Sequence, residues 1–196
     1  MIVWEEKMKK PFVIGIAGGS ASGKSTFTAK LEEALDGVSC TTLHMDSYFK
    51  PRAERPQSPA PVSGKVYMDD NHPETMDLAR LRADLSALVN AAEYQVIIVE
   101  GLLTLWDTEI FAMLDLKLFV ECRADERIVR RLRRNMSWGL SYDEVANVYL
   151  DLVRYRHDEY VEPSKWKADF LLNGSNDTGV ALRMISQYIR NTLKSE

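Results

Sequence analysis

The sequence has few cysteines and no long apolar run. Cys40 and Cys122 are its only cysteines, too few and too far apart for a disulfide framework or a cluster of metal ligands. No apolar run approaches the roughly 20 residues that a membrane-spanning helix needs. Residues 1–10 lack the apolar core of a signal peptide. These absences predict a cytoplasmic protein with reduced thiols and no membrane partner.

An excess of positive charge is also missing. Lysine and arginine number 25 against 29 aspartates and glutamates, which gives a formal net charge of −4. This balance argues against a general nucleic-acid partner. With 196 residues, 45% of them hydrophobic, the chain can bury one substantial core. We therefore predict a single domain over residues 1–196.

Short β-rich runs alternate with longer helical patterns along the chain. One helix is predicted after Asp77, a suitable N-cap, because leucines then recur at helical spacing. The alternation predicts an α/β fold in which helices flank a parallel five-stranded sheet. The predicted strands are Phe12 to Ala17, Thr41 to Met45, Gln95 to Val99, Leu116 to Glu121 and Asp169 to Leu172.

The stretch from Pro51 to Pro73 is rich in proline and polar residues. Too little chain follows it to need a second core. We therefore interpret about residues 47–75 as a substrate-side insertion rather than a linker between domains.

A phosphate-binding motif follows the first predicted strand. Residues 18–25 read Gly-Gly-Ser-Ala-Ser-Gly-Lys-Ser and complete the P-loop pattern G-x-x-x-x-G-K-[ST]. Such a loop aims backbone N–H groups at a phosphate chain, and a helix predicted from Ser25 adds its N-terminal dipole. The motif predicts nucleotide contacts from Gly18, Gly19, Ser20, Ala21, Ser22, Gly23, Lys24, Ser25 and Thr26.

Three side chains near this loop are candidates for metal and charge chemistry. In a P-loop, Lys24 would neutralise β- and γ-phosphate charge, and Ser25 would offer its hydroxyl to Mg²⁺. Glu100 ends a buried strand whose carboxyl end should lie beside the loop, so we predict that it holds Mg²⁺ directly or through water. The alternative is a glutamate that only marks the strand's end.

Asp46 ends the apolar run that begins at Thr41. Phosphoryl transfer to an alcohol benefits from a base that accepts the hydroxyl proton, and Asp46 is the candidate. Its alternative role is an Asx turn or a helix cap. Tyr48 is a candidate to line the acceptor pocket, although aromatic residues of this kind more often belong to the hydrophobic core.

Arginines concentrate between Arg127 and Arg134 on a predicted helix. Cations near a transferred phosphoryl group would stabilise the transition state, as a closing lid does, and we place this lid at about residues 127–160. On composition alone, a solvated helix face is the more common explanation.

Taken together, these residues resemble the uridine kinase family of P-loop kinases over most of the chain. The residues that carry the resemblance are the P-loop, Asp46 to Phe49, Asn71 to Pro73 with Asp77, Glu100 to Leu103, Arg127, Arg130, Arg131, Arg134, Pro163 to Lys165, and Ala168 with Asp169.

The resemblance implies phosphorylation of the 5′-hydroxyl of a pyrimidine ribonucleoside, with ATP and Mg²⁺ as cofactors and a small molecule as acceptor. On matching positions it implies that Asp46 is the base and that Ser25 and Glu100 form the magnesium side. Lys24, Arg131 and Arg134 would act on the phosphates. The implied acceptor contacts are Asp46, Tyr48, Asn71, His72 and Arg134.

The chain departs from the family pattern at three places. The family's base-contacting hairpin is absent, because residues 90–94 lead almost directly into Val96. Asn71 replaces an aspartate that binds ribose hydroxyls in the family. Trp138-Gly139-Leu140 replaces the lid's Arg-Gly-Arg. We therefore expect the family's phosphoryl chemistry with weak selectivity for uridine.

Two alternatives stay open. The first is a kinase of the same fold that acts on another riboside, a sugar or a vitamin precursor such as nicotinamide riboside. The second is an ATPase or nucleotide switch without an acceptor, although the sequence lacks the Asn-Lys-x-Asp segment of guanine switches. The oligomeric state, homo-oligomers included, is left open.

Overall fold

The computed structural model describes residues 10–195. The prediction that residues 1–10 hold no signal peptide therefore concerns residues that lie almost wholly outside the described part. The strands are β1 Phe12–Gly18, β2 Cys40–His44, β3 Gln57–Pro59, β4 Val66–Met68, β5 Val96–Glu100, β6 Leu116–Glu121 and β7 Phe170–Asn173. The helices are α1 Lys24–Ala34, α2 Leu78–Ala91, α3 Thr108–Met113, α4 Ala124–Ser137, α5 Tyr142–Val148, α6 Arg154–Arg156 and α7 Gly179–Ser195.

Five of the strands form one parallel sheet in the order β2-β5-β1-β6-β7. All five were predicted, and each strand end lies within one residue of its predicted position. The predicted α/β fold with a helix-flanked parallel sheet is therefore confirmed. The single domain over residues 1–196 stays a prediction.

Helices cover both faces of this sheet. On one face, Phe27 and Leu31 of α1 pack with Ile189 of α7 against the side chains of β1 and its neighbours. On the other face, Leu81 and Leu85 of α2 belong to a second buried cluster. Because β1 is buried along its whole length, its carboxyl end delivers the phosphate-binding motif to a rigid position in the middle of the sheet.

The helix predicted after Asp77 is α2, and its cap is confirmed. The Asp77 side chain accepts a hydrogen bond from the Arg80 backbone N–H at 3.0 Å, which satisfies one of the donors that a helix start leaves unpaired.

Two short strands, β3 and β4, form an antiparallel hairpin inside the predicted insertion. The hydroxyls of Ser63 and Tyr67 both donate to Asp151, at 2.9 Å and 2.8 Å. Asp151 lies in the first of two π-helical segments, Tyr149–Val153 and His157–Val161, which extend the helical region after α5. The insertion therefore contacts the predicted lid region directly. Among residues 10–195, no helix combines the length and apolar character needed to cross a bilayer.

Candidate active site

The P-loop takes a conformation that specific residues permit. A Cβ on Gly18 would lie 2.5 Å from the carbonyl oxygen of Val120, so this position has no room for a side chain. Gly23 has φ 103° and Ala21 has φ 62°, both in the left-handed region. Glycine reaches that region without strain, whereas Ala21 does so at a cost. The loop then passes into α1 at Lys24.

The buried carboxylate of Glu100 lies at the centre of the polar cluster beside this loop. Ser25 Oγ donates to Glu100 Oε1 at 3.2 Å, and Lys24 Nζ lies 3.6 Å from the same oxygen. His44 Nδ1 lies 3.0 Å from Oε2. Lys24 is also buried, so the two opposite charges compensate each other where water screens them little. The predicted proximity of Glu100 to the P-loop is thus present in the structure.

The donors in this cluster are of the kind that Mg²⁺ prefers. Hard oxygen ligands are available from the Ser25 hydroxyl and the Glu100 carboxylate. Within residues 10–195, no group of three or more His, Cys, Asp or Glu side chains is arranged to hold a metal ion. A cation here would need most of its ligands from phosphates and water, which is the usual way in which proteins bind Mg²⁺.

Two arginines of α4 reach the P-loop. Arg131 Nη1 donates to Ser20 Oγ at 2.9 Å, and Arg134 Nη2 donates to the same oxygen at 3.2 Å. Burial, together with the charge of Arg134, lowers the pKa of Arg131 to about 10, so the Arg131 guanidinium stays charged at neutral pH. The Nε of Arg131 has no hydrogen-bond partner among the described residues. Two cations that share one hydroxyl form a place where an anion would be stabilised.

The solvated-face interpretation fits only part of this arginine run. Arg133 is exposed, whereas Arg130 Nη1 donates to the Gly174 carbonyl at 2.9 Å. A cavity of about 480 Å³ lies between the loop and α4, lined by residues 21 and 23–26 with Arg130 and Arg134. The helix therefore presents two of its cations, Arg130 and Arg134, to a cavity at the P-loop.

Asp46 and Tyr48 follow β2 in a short 3₁₀ turn, Met45–Tyr48. Asp46 is exposed. Tyr48 is buried, and its hydroxyl donates to Asp84 of α2 at 2.8 Å. Burial and this hydrogen bond raise the pKa of Tyr48 to about 12. The Tyr48 hydroxyl is thus engaged by Asp84, and the side chain belongs to the buried core. Its acceptor contact stays a prediction.

Asn71 and His72 lie after β4, against the lid region. Asn71 is buried, and its backbone N–H donates to Asp69 Oδ1 at 3.3 Å. Asp69 Oδ2 accepts from Arg156 Nε at 2.6 Å. The His72 ring makes an edge contact with Tyr160, with centroids 5.5 Å apart. These contacts join the insertion to the lid region, and acceptor contacts from Asn71 and His72 stay predictions.

Sequence reasoning missed two residues of this network. His44 contacts Glu100, and the only signal for it is its position as the last residue of β2, two places before Asp46. Arg156 lies outside the arginine run, and no sequence pattern indicates that it pairs with Asp69.

The sequence matches known proteins along most of its length. The profile described as "Phosphoribulokinase / Uridine kinase family" matches residues 67–181. A uridine kinase of Deinococcus deserti is 34% identical over 207 residues, which cover 94% of this chain and 98% of that protein. A uridine kinase of Clostridium tetani is 34% identical over 212 residues, which cover 96% of this chain and 99% of that protein.

Solved structures share the fold. A candidate fructose transport system kinase from Silicibacter sp. TM1040 superposes with a TM-score of 0.60 at 18% identity, covering 81% of this chain and 88% of that one. A candidate uridine kinase from Bacillus stearothermophilus gives a TM-score of 0.51 at 20% identity, covering 84% and 90%. At these identities the likeness concerns the fold alone.

Proposed function

The chain belongs to the phosphoribulokinase / uridine kinase family and is a phosphotransferase, and we propose that it transfers the γ-phosphoryl group of ATP to the 5′-hydroxyl of a nucleoside. The observation that carries this proposal is the convergence of Lys24, Ser25 and Glu100 at one P-loop. Uridine is the first acceptor to test, because the relatives that match over nearly the whole chain are named uridine kinases.

The P-loop side of the site would bind and orient the phosphates. Backbone N–H groups of the loop would bind the phosphates together with the N-terminus of α1, which begins at Lys24 and favours negative charge. Lys24 would shift from Glu100 toward the β- and γ-phosphates. Ser25 and Glu100 would hold Mg²⁺, which neutralises negative phosphate charge when it is bound.

The lid arginines would act on charge that develops during transfer. Arg131 and Arg134 now share Ser20 Oγ. An anionic γ-phosphate oxygen is a stronger acceptor than a hydroxyl, so both guanidiniums would exchange the bond to Ser20 for a bond between opposite charges. Preorganised cations of this kind lower the barrier because they need not reorganise in the transition state.

Asp46 would serve as the general base. The acceptor oxygen attacks the γ-phosphorus, the bond from that phosphorus to the β,γ-bridging oxygen breaks, and ADP leaves. The hydroxyl proton passes to the Asp46 carboxylate. Asp46 suits this role because it is exposed in the turn after β2, two residues from His44, which contacts Glu100.

A second acceptor class has support of its own. The hydroxyl of Tyr48 is engaged by Asp84, and the buried carboxylate of Asp69 is engaged by Arg156. These two groups are thus already paired within the protein and do not enforce one particular base or sugar. A kinase for another riboside, a sugar or a vitamin precursor such as nicotinamide riboside is therefore the second candidate.

An assay of ADP release tests the proposal. The purified protein is mixed with Mg²⁺ and ATP, alone or with uridine, cytidine, purine ribosides, nicotinamide riboside or fructose, and phosphorylated products are identified by mass spectrometry. We expect release that depends on a nucleoside acceptor. The Lys24→Ala variant, folded by circular dichroism, should lose transfer by orders of magnitude. ADP release that is equally fast without any acceptor would instead identify an ATPase.

A further inference from the structure

The two oxygens of the Glu100 carboxylate have different partners. Oε1 faces Ser25 Oγ at 3.2 Å and Lys24 Nζ at 3.6 Å. Oε2 is 3.0 Å from Nδ1 of His44. An ionised carboxylate only accepts hydrogen bonds, so the Nδ1 of His44 carries the proton in this contact.

His44 reaches Glu100 from the neighbouring strand of the sheet. The two residues are register partners at the carboxyl ends of β2 and β5. The side chain of His44 is 49% exposed, whereas that of Glu100 is 7% exposed. Apolar packing therefore does not explain the position of the imidazole, and its defined polar contact is with Glu100.

We propose that His44 is a positioning residue, which holds the Glu100 carboxylate so that Oε1 faces the Ser25 hydroxyl and a divalent cation bound there. The inference rests on the proposed function, because Glu100 is a metal-side residue only in that function. A carboxylate can rotate about its terminal bond with little resistance. A donor on Oε2 restricts this rotation and leaves Oε1 for the metal side.

The contact has the properties of an outer-sphere hydrogen bond at a metal site. Groups that orient a ligating side chain typically contribute 10- to 100-fold to metal affinity or activity. In this chain His44 also connects the end of β2, where Asp46 follows in the next turn, to the end of β5. His44 therefore contacts the candidate metal ligand and lies two residues before the candidate base.

Two substitutions test whether His44 orients the Glu100 carboxylate or is only a surface residue of β2. His44→Asn keeps an N–H donor close to the position of Nδ1, and His44→Leu keeps the bulk but removes the donor. Thr42→Val is the matched control, because Thr42 lies on β2 but its hydroxyl bonds Glu32 of α1 instead of Glu100. The first readout is Mn²⁺ binding by electron paramagnetic resonance, with a non-hydrolysable ATP analogue present. The second is the Mg²⁺ concentration for half-maximal velocity.

We expect His44→Leu to weaken Mn²⁺ binding and to raise the half-saturating Mg²⁺ concentration by about 10- to 100-fold. His44→Asn and Thr42→Val should stay within a few-fold of the wild type, and thermal midpoints should change little. If His44→Leu does not fold, His44→Ala takes its place with the same expectation.

Unchanged metal binding in the variant without a donor, or an equal loss in His44→Asn, would overturn the proposal. Because Mn²⁺ binding is measured without turnover, it tests His44 separately. Absence of phosphoryl transfer in the wild type would count against the proposed function instead.

Discussion

Asp46 is the residue on which the proposed chemistry depends most directly. Its carboxylate is exposed at the end of β2, and an amide of the same shape cannot accept the acceptor's proton. We expect Asp46→Asn to lower kcat by roughly two to four orders of magnitude, the range usual for removal of a general base. ATP affinity, measured by isothermal titration calorimetry, should change little.

An exposed carboxylate at the end of α1 provides the control for this prediction. Asp36→Asn removes the same charge from a position outside the site and should leave kcat unchanged. If Asp46→Asn greatly weakens ATP binding but substrate that does bind turns over at the normal rate, Asp46 has a metal or structural role instead.

His157 makes a residue-scale prediction about stability. Its ring is buried behind the P-loop, where a Cβ on Gly19 would lie 3.0 Å from its Cε1. Burial and the charge of Arg127 lower the pKa of His157 to about 4, although Glu162 acts in the opposite direction. In the folded protein the ring is therefore neutral at pH 5, whereas in the unfolded chain it takes up a proton below about pH 6.5.

This difference makes the folded state less stable as the pH falls from 6.5 toward 4. Between pH 7 and pH 5 the free energy of unfolding should fall by about 2 kcal/mol. The loss builds up over the roughly 1.5 pH units below 6.5, and each unit corresponds to about 1.4 kcal/mol. His157→Gln cannot titrate, so its free energy of unfolding should fall by about that much less over the same interval. Urea unfolding of both proteins at the two pH values measures this, and an identical pH dependence would show that His157 is not responsible.

At the scale of elements, one ion pair joins the turn after β4 to the helical region that follows α5. Asp69 is almost completely buried and lies 2.6 Å from Arg156. Removing one partner of a buried pair leaves the other uncompensated. We expect Asp69→Asn to lower the free energy of unfolding by about 3 kcal/mol, because Arg156 then keeps only the half-exposed carboxylate of Glu159.

The neighbouring aspartate offers a matched comparison. Asp70 is exposed and pairs with Arg55 at 3.1 Å, and exposed pairs contribute about 0 to 1 kcal/mol. Asp70→Asn should therefore leave the urea midpoint almost unchanged. Equal losses in the two variants would mean that the buried pair of Asp69 and Arg156 contributes no more to stability than the exposed pair of Asp70 and Arg55.

The hairpin of β3 and β4 shows why such an element escapes sequence analysis. Its strands have three residues each and include Pro59, so neither has enough alternation to be recognised. Contacts from Ser63 and Tyr67 to Asp151, which is more than 80 positions away, hold it in place.

At the scale of the whole molecule, the arrangement of the acceptor side predicts weak selectivity. Strong discrimination needs buried polar groups that a wrong substrate leaves unpaired. By the resemblance to the family, residues 90–94 leave no room for a base-contacting hairpin, and Asn71 stands where an aspartate is expected. We expect kcat/KM values for uridine and other ribosides to differ by less than about two orders of magnitude.

Steady-state kinetics on a panel of nucleosides and nicotinamide riboside checks this expectation. Efficient turnover of uridine and cytidine, with strong rejection of the other ribosides, would contradict it. In that case the insertion from Pro51 to Pro73 would be supplying contacts that, by the resemblance, a hairpin supplies in other members of the family.

The sequence alone determined the features that depend on neighbouring residues. The spacing of glycines, Lys24 and Ser25 defines the P-loop, because the loop conformation and the following helix are local. The β-rich runs located all five strands of the parallel sheet within one residue, and the central strands β1 and β5 are buried along their whole length. Glu100 was expected at the loop because parallel strands bring their carboxyl ends to one edge.

Only the tertiary structure decided which side chains meet across that edge and beyond it. His44 contacts Glu100 because β2 and β5 pair in one particular register, although 56 positions separate the two residues. Asp69 and Arg156 are 87 positions apart, and their pairing depends on how the insertion packs on the helical region. Tyr48 lies close to Asp46 in sequence, yet its side chain is buried and bonded to α2. Side-chain direction and partner choice follow from packing between distant segments, which local patterns do not encode.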